Sequence, residues 1–281
     1  MNTSSDRYIH TFEPDEQERL IRQGLYLEPW VHPGVDFSAR ASVLEVGCGV
    51  GAQLQILLRR FPSARYTGID ASALQLARAR ELLAEPLAAG RVELARASAY
   101  KLPFPDANFD GVCIFWVLEH LADPPAALAE ILRVLKPGGV FYCTEVFNSG
   151  LYARPRQPGL ENYWRAFNAL QEELDGDPDM GVKLGALLDA AGFEQVTLHD
   201  ASAQMDGRLA DIGARGEFID FWHNLLLSGA SKLMQHGRVT AADIDALKAA
   251  FTTLAETPQA IFRYAAMQAR GYKPVQTEHA S

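Results

Sequence analysis

Residues 43–53 read VLEVGCGVGAQ, an apolar run that ends in an acid and then places glycines at 47, 49 and 51. Alternate glycines leave the backbone bare, and a bare turn lets a ligand lie closer than side chains permit. The run before the turn is β-branched and strand-like, while Leu54, Leu57 and Leu58 behind it fall at helical spacing. Strand, tight turn and helix in that order set the unpaired N–H groups of a helix N-terminus beside the glycines, ready for a polar or anionic group.

Outward from the turn the alternation repeats. ARYTGID (64–70) predicts a second strand closed by Asp70, and SALQLARARELLAE (72–85) a helix with Ser72 as its N-cap. RVELAR (91–96) and FDGVCIFWVL (109–118) predict two further strands. DPPAALAEILRVLKPGG (123–139) reads as a helix opened by proline and stopped by Lys-Pro-Gly-Gly, and VFYCTEVF (140–147) as a strand covered on both faces. GVKLGALLDAAGF (181–193) then reads as helix and EQVTLHD (194–200) as strand. QAIFRYAAMQARGYKP (259–274) fits either a strand or a helix. Repeated βα units predict an α/β fold, a Rossmann-like doubly wound sheet with right-handed crossovers.

Two stretches stand outside the alternation and are expected to be insertions: 148–177, rich in Gly, Pro and aromatic residues, and 201–258, largely helical. The expected organisation is an N-terminal segment 1–38, a core of 39–200 and 259–276, the insertion 148–177 after the fifth strand, and a helical cap 201–258. In an open parallel sheet a ligand lies beyond the carboxyl ends of the strands, where strand order reverses. Asp70 ends the second strand, where a carboxylate takes both hydroxyls of a ribose. A nucleoside-containing cofactor follows, but Gly47, Gly49 and Ala52 also fit a dinucleotide pattern with an acid about 20 residues on. Spacing leaves the two cofactors open.

The whole chain narrows the classes. Its 281 residues suffice for one α/β domain of about 150 to 250 residues plus additions. A formal charge of −9 argues against a general nucleic-acid binder, though it leaves room for a local basic patch. No run approaches the roughly 18 apolar residues of a membrane span, and the start MNTSSDRYIH has no apolar core of a leader, so a cytoplasmic protein with no membrane partner is expected. Cys48, Cys113 and Cys143 are three and far apart, which predicts buried thiols rather than disulfides or a zinc site.

VLEVGCGVGAQ together with TGIDAS, LPFPDANFDGVCIFWVLEHLADP and LKPGG, in their order and spacing across about residues 40–147, resembles the class I S-adenosylmethionine-dependent methyltransferases of small-molecule type. The resemblance implies a seven-stranded, mostly parallel sheet whose last strand is antiparallel, and S-adenosyl-L-methionine as cofactor. It implies that Glu45, Gly47, Cys48, Gly49, Gly51 and Gln53 hold the methionine and ribose portions, with Asp70, Ala71 and Phe115 beside them. Where the family carries Asp or Asn before Leu-Pro-Phe this chain has Ser98, so adenine contact falls to Ser98 and the Ala99 backbone. YIHTFEPDEQERL (8–20) resembles the N-terminal segment that covers the cofactor in many small-molecule members.

A sulfonium makes its attached carbons electrophilic, so the chemistry needs an aligned nucleophile about 3 Å away and a base only where that nucleophile carries a proton. Candidates at the reacting face are Tyr8, His120, Glu145, Asn148 and Tyr163, with Tyr8 and Tyr163 offering aromatic faces to the cation. Glu119 and His120 lack a third ligand, so no metal is expected. Arg154, Arg156 and Arg165 form a basic edge. Three functions are expected candidates. The first is methyl transfer to an O, N or C nucleophile of a small molecule, with secondary metabolism as its setting. The second is an intramolecular cyclisation of the cofactor to azetidine-2-carboxylate and methylthioadenosine in an aromatic pocket. The third is a non-catalytic cofactor-binding module. A small-molecule partner is expected, and a homodimer stays open.

Overall fold

The computed structural model describes residues 14–208 and 211–275. Seven strands form the main sheet: β1 Ser42–Val46, β2 Arg65–Asp70, β3 Val92–Arg96, β4 Phe109–Phe115, β5 Leu135–Val146, β7 Glu194–Asp200 and β10 Ala266–Tyr272. Their order is β3-β2-β1-β4-β5-β10-β7, with β10 antiparallel to both its neighbours and the rest parallel. β1 pairs with β2 on one side and β4 on the other, so the strand order reverses there and a crevice opens beyond their carboxyl ends.

Successive strand residues face opposite cores. Val43 and Cys113 pack on the face covered by α1 Pro14–Val31, α2 Ala52–Arg60 and α3 Ala73–Leu82; Leu44 and Val112 pack on the face of α5 Pro124–Val134 and α7 Met180–Ala191. A short helix, α4 Ala84–Ala88, leads into β3. Local chemistry starts the helices as expected: Ser72 Oγ accepts from Gln75 N–H at 3.3 Å, and Asp123 Oδ1 accepts from Ala126 N–H at 3.1 Å ahead of the prolines of α5.

The Lys-Pro-Gly-Gly stop behaves differently from the expectation. Helix α5 ends at Val134, and the strand already begins at Leu135. Pro137 has no N–H to pair and Gly138 sits at φ 72°, so the segment is taken up as a bulge, seen as the register shift between Phe109 and Gly111 of β4.

The C-terminal run is two strands. β9 Ile261–Tyr264 joins β6 Tyr152–Arg154 and β8 Ala203–Asp206 in a small antiparallel sheet, and β10 then enters the main sheet. That small sheet, which the sequence did not foretell, ties the insertion after β5 to the segment after β7. Around it pack α6 Pro158–Glu173, α8 Ile212–Leu227, α9 Ala230–Gln235 and α10 Ala241–Glu256. Their centre is Trp222, fully buried and stacked on Tyr264 at 4.2 Å between centroids.

Candidate active site

The glycine turn resolves into two kinds of glycine. Gly47 and Cys48 N–H both donate to the Ile69 carbonyl, at 2.8 and 2.9 Å, which binds the turn to the end of β2. At Gly47 (φ 75°) a Cβ would lie 2.5 Å from Val117 Cγ2, and at Gly51 (φ 82°) one would lie 2.8 Å from Leu83 Cδ1. Both are small because protein packs against them. At Gly49 (φ 51°) a Cβ would meet nothing within 4 Å. Gly49 alone opens onto free space, and its N–H donates to Asp70 Oδ2 at 2.9 Å while Ser72 N–H donates to Oδ1 at 2.7 Å. Burial pushes the Asp70 carboxyl up, and these N–H groups pull it back. Different outcomes follow for the two positions. Gly47→Ala is expected to destabilise the fold, by left-handed strain of about 1–2 kcal/mol plus the clash with Val117. Gly49→Val carries the strain alone and is expected to stay folded; thermal melts of the two variants check the contrast.

The free space belongs to a cavity of about 280 Å³ at the sheet crevice. Its near wall is the turn with Glu45, Gly47, Cys48, Gly49 and Gln53, joined by Asp70, Ala71 and Gln75. Arg19 and Gln23 reach it from α1; Phe115, Trp116, Glu119 and His120 come from the end of β4, followed by Asn148. The far wall is Trp164, Phe167 and Gln171 of α6, Trp222 and Leu225 of α8, and Tyr264. Gly51 lies behind this surface, against Leu83.

Glu45 is buried, and burial, reinforced by the Asp70 charge, pushes its carboxyl up to about 8. Its Oε2 has no hydrogen-bond partner among the described residues. A carboxyl raised on folding holds its proton more tightly in the folded state, so its stability contribution is full below about 4.5 and is lost as pH rises through about 8. Glu45→Gln is expected to remove that fall: the variant should gain on the parent progressively between pH 5 and 8, as denaturant titrations across that range measure. Gln53 is held from behind by His32, whose Nε2 lies 2.6 Å from Gln53 Oε1. Burial lowers His32 to about 4, so its ring is neutral at pH 7, and it packs on Phe115 at 5.3 Å. Burial also raises the Cys48 thiol far above its usual range, so it lines the cavity as a neutral group.

Glu145, Tyr163, Ser98 and Ala99 are misplaced by the sequence reading. Glu145 does not face the cavity: it is fully buried behind it and accepts three backbone N–H groups, from Val117 (3.0 Å) and Leu118 (2.7 Å) to Oε1 and from Glu119 (3.3 Å) to Oε2. The carboxylate serves as the acceptor that pins the 3-10 turn Leu118–His120 at the end of β4. Tyr163 points into the helical layer, where its hydroxyl donates to the Leu226 carbonyl at 2.7 Å; its helix neighbour Trp164 is the one that meets the cavity. Ser98 and Ala99 also lie outside the cavity wall, Ser98 in a tight bridge with Lys101 and Ala99 against the core below the sheet. Tyr8 lies outside the described residues.

His120 and Asn148 do reach the cavity. Burial pushes His120 below its usual value and the Glu119 carboxylate opposes this. Asn148 donates to Asn168 Oδ1 at 3.0 Å, while its own Oδ1 is buried without a partner among the described residues. Arg19, Gln171 and Tyr264 were missed as site residues. Arg19 is held by both oxygens of Glu16, at 2.7 and 2.6 Å, and Gln171 donates to Glu119 Oε2 at 2.7 Å. Trp116 has φ 60°, an uncommon conformation for a bulky residue, in a turn that faces the cavity. A helical face of Trp164, Phe167 and Gln171 was the available signal in α6.

A family of methyltransferase domains matches residues 44–143. A demethylmenaquinone methyltransferase of Lactiplantibacillus plantarum is 35% identical over 174 residues, 57% of this chain and 70% of that protein. The chain belongs to the S-adenosylmethionine-dependent methyltransferase family. To this member of the family the O-methyltransferase cnsE of Penicillium expansum is similar as well, 31% identical over 196 residues that make up 69% of this chain and 67% of that one. Against two further curated relatives the family member spans about half their length, 49% in each. Among solved structures, phosphoethanolamine N-methyltransferase 2 of Haemonchus contortus has a TM-score of 0.60 at 16% identity, covering 98% of this chain and 61% of that one, a likeness of fold. The methyltransferase family member has, among its described residues, no helix long and apolar enough to cross a membrane, and no group of three His, Cys, Asp or Glu side chains set to hold a metal ion.

Proposed function

We propose that this protein binds S-adenosyl-L-methionine in the sheet crevice and transfers its methyl group to a small molecule held between the glycine turn and the helical layer. The observation that carries the reading is the bare backbone of Gly49 beside the Asp70 carboxylate. Each Asp70 oxygen already accepts one N–H and has a lone pair left, so the carboxylate suits the two hydroxyls of a ribose. Ala71 and Gln75 line the cavity on that side, for the adenosine end. Glu45, whose raised carboxyl is mostly protonated at pH 7 and accepts through its free oxygen, and the Arg19 guanidinium suit the amino and carboxylate groups of the methionine end. Gly49, Gln53 and Phe115 form the wall along which it lies. The acceptor is small because α1, α6 and α8 close over the cavity; its place in secondary metabolism rests on the same enclosing insertions.

Trp116, Trp164, Phe167, Trp222 and Tyr264 crowd the acceptor side. This aromatic enclosure favours, as a second reading, reaction of the cofactor with itself: the α-amine attacks the carbon γ to the carboxylate, closing azetidine-2-carboxylate and releasing methylthioadenosine. Exclusion of water helps either reaction.

Calorimetry with S-adenosylmethionine and with its demethylated product tests the binding. Mass spectrometry after incubation with cofactor alone separates the two reactions. Absence of binding for both compounds would overturn the assignment.

A further inference from the structure

Glu119 sits on the 3-10 turn that Glu145 pins, and its Oε2 accepts from Gln171 at 2.7 Å. Its Oε1 lies 3.8 Å from His120 Nε2, beyond hydrogen-bond length. The side chain is buried and yet lines the cavity. Trp164, Trp222 and Tyr264 line the same cavity. Aromatic faces and a carboxylate attract the same partner, a cation. The charge around the cavity points the same way: Asp70 and Glu119 are acids on its wall, while the guanidinium of Arg19 is matched by Glu16.

From this we propose that the nucleophile held in the cavity is an aliphatic amine and that Glu119 removes its proton. The inference rests on the reading that the sheet crevice binds S-adenosylmethionine. An ammonium enters as the cation the enclosure attracts. One N–H proton passes to the Glu119 carboxylate, the freed lone pair forms a bond to carbon on the sulfonium, and that C–S bond breaks with both electrons going to sulfur. Positive charge moves from sulfur to nitrogen, and the cofactor leaves as a neutral thioether. A phenolate or carboxylate nucleophile meets the Asp70 and Glu119 carboxyl groups and the negative faces of the rings. A neutral alcohol lacks the charge that would draw it in and is too weak an acid for a carboxylate to deprotonate. The amine has two sources, a separate small molecule or the α-amine of the cofactor itself.

The test uses the full chain. One arm contains protein and S-adenosylmethionine alone; the other adds primary and secondary aliphatic amines, phenols or carboxylic acids, with products read by mass spectrometry. Cyclic amino acid with methylthioadenosine in the first arm, or N-methylated amine in the second, supports the proposal and names the source. Turnover confined to phenols or acids, or no reaction of any amine in either arm while the cofactor binds, overturns it. Failure of the cofactor to bind overturns the proposed function instead.

Glu119→Gln then tests the proton step. Gln keeps an oxygen for Gln171, so the variant should fold and bind S-adenosylhomocysteine within about twofold of the parent. At pH 7 kcat should fall about 10²- to 10³-fold, and the gap should narrow toward pH 9–10 as solvent deprotonates the amine. The groups facing Glu119 that share this profile are Glu145, His120, Tyr264 and, across the cavity, Arg19. An equal deficit at every pH would mean that Glu119 only shapes the turn.

Discussion

Asp70→Ala is expected to weaken S-adenosylmethionine binding by about 10²- to 10⁴-fold. Charge-assisted hydrogen bonds contribute about 1.5–3 kcal/mol each, and a carboxylate that takes two ribose hydroxyls loses both on truncation. Part of that loss reaches the turn, because Asp70 also holds the N–H groups of Gly49 and Ser72. Asp70→Asn separates the contributions: it keeps one oxygen acceptor of the same reach and should bind between the parent and the alanine variant. Calorimetry with the demethylated product reads the ribose contacts without turnover. Affinity unchanged in a folded Asp70→Ala protein would remove the carboxylate from the cofactor site.

Glu145→Ala is expected to unfold the protein more readily, by about 3–5 kcal/mol. Three N–H groups lose a buried acceptor at once, and an unsatisfied buried donor costs about 1–3 kcal/mol. For a chain of this size that is a fall in Tm on the order of 10 °C. Burial and the neighbouring Glu119 carboxylate push the Glu145 carboxyl well above its usual range, opposed by the same three N–H groups. Glu145→Gln, which keeps a carbonyl oxygen, should lose less than half as much. Loss of turnover with no loss of Tm in either variant would return Glu145 to the reacting face, where a reading of strand ends alone placed it.

That contrast shows where the sequence was legible. The glycine turn, Asp70 and the Ser72 cap are local: spacing and residue type suffice, because each role is set within a few positions of chain. The seven-stranded sheet was legible for the same reason, with the antiparallel β10 implied by family resemblance. Glu145 was not, because a strand terminus offers no clue to whether a carboxylate meets a ligand or the N–H groups of the adjoining turn. Tyr163 and Trp164 are neighbours on one helix, so their roles depend on the rotation of α6 against α8, which no single stretch encodes. Tyr264 reaches the cavity only because β9 joins the small sheet, and Arg19 only because α1 lies over the turn. The first contact spans most of the chain and the second joins an N-terminal helix to a turn well beyond it, and pattern within a window cannot see them.

The position of β10 between β5 and β7 bears on the order in which this molecule is made. β5 and β7 are both synthesised before the cap helices, yet neither has its final neighbour until residues 266–272 arrive. On a ribosome, β7 therefore waits as an unpaired edge through the synthesis of α8, α9 and α10. Such edges recruit strands from other chains. The exposed Leu198 in the middle of β7 makes that interval a hazard. The final strand is the clasp of the sheet, and pulse-labelled nascent chains halted near residue 258 should still be open to protease along 194–200 while the β1–β4 half is already closed.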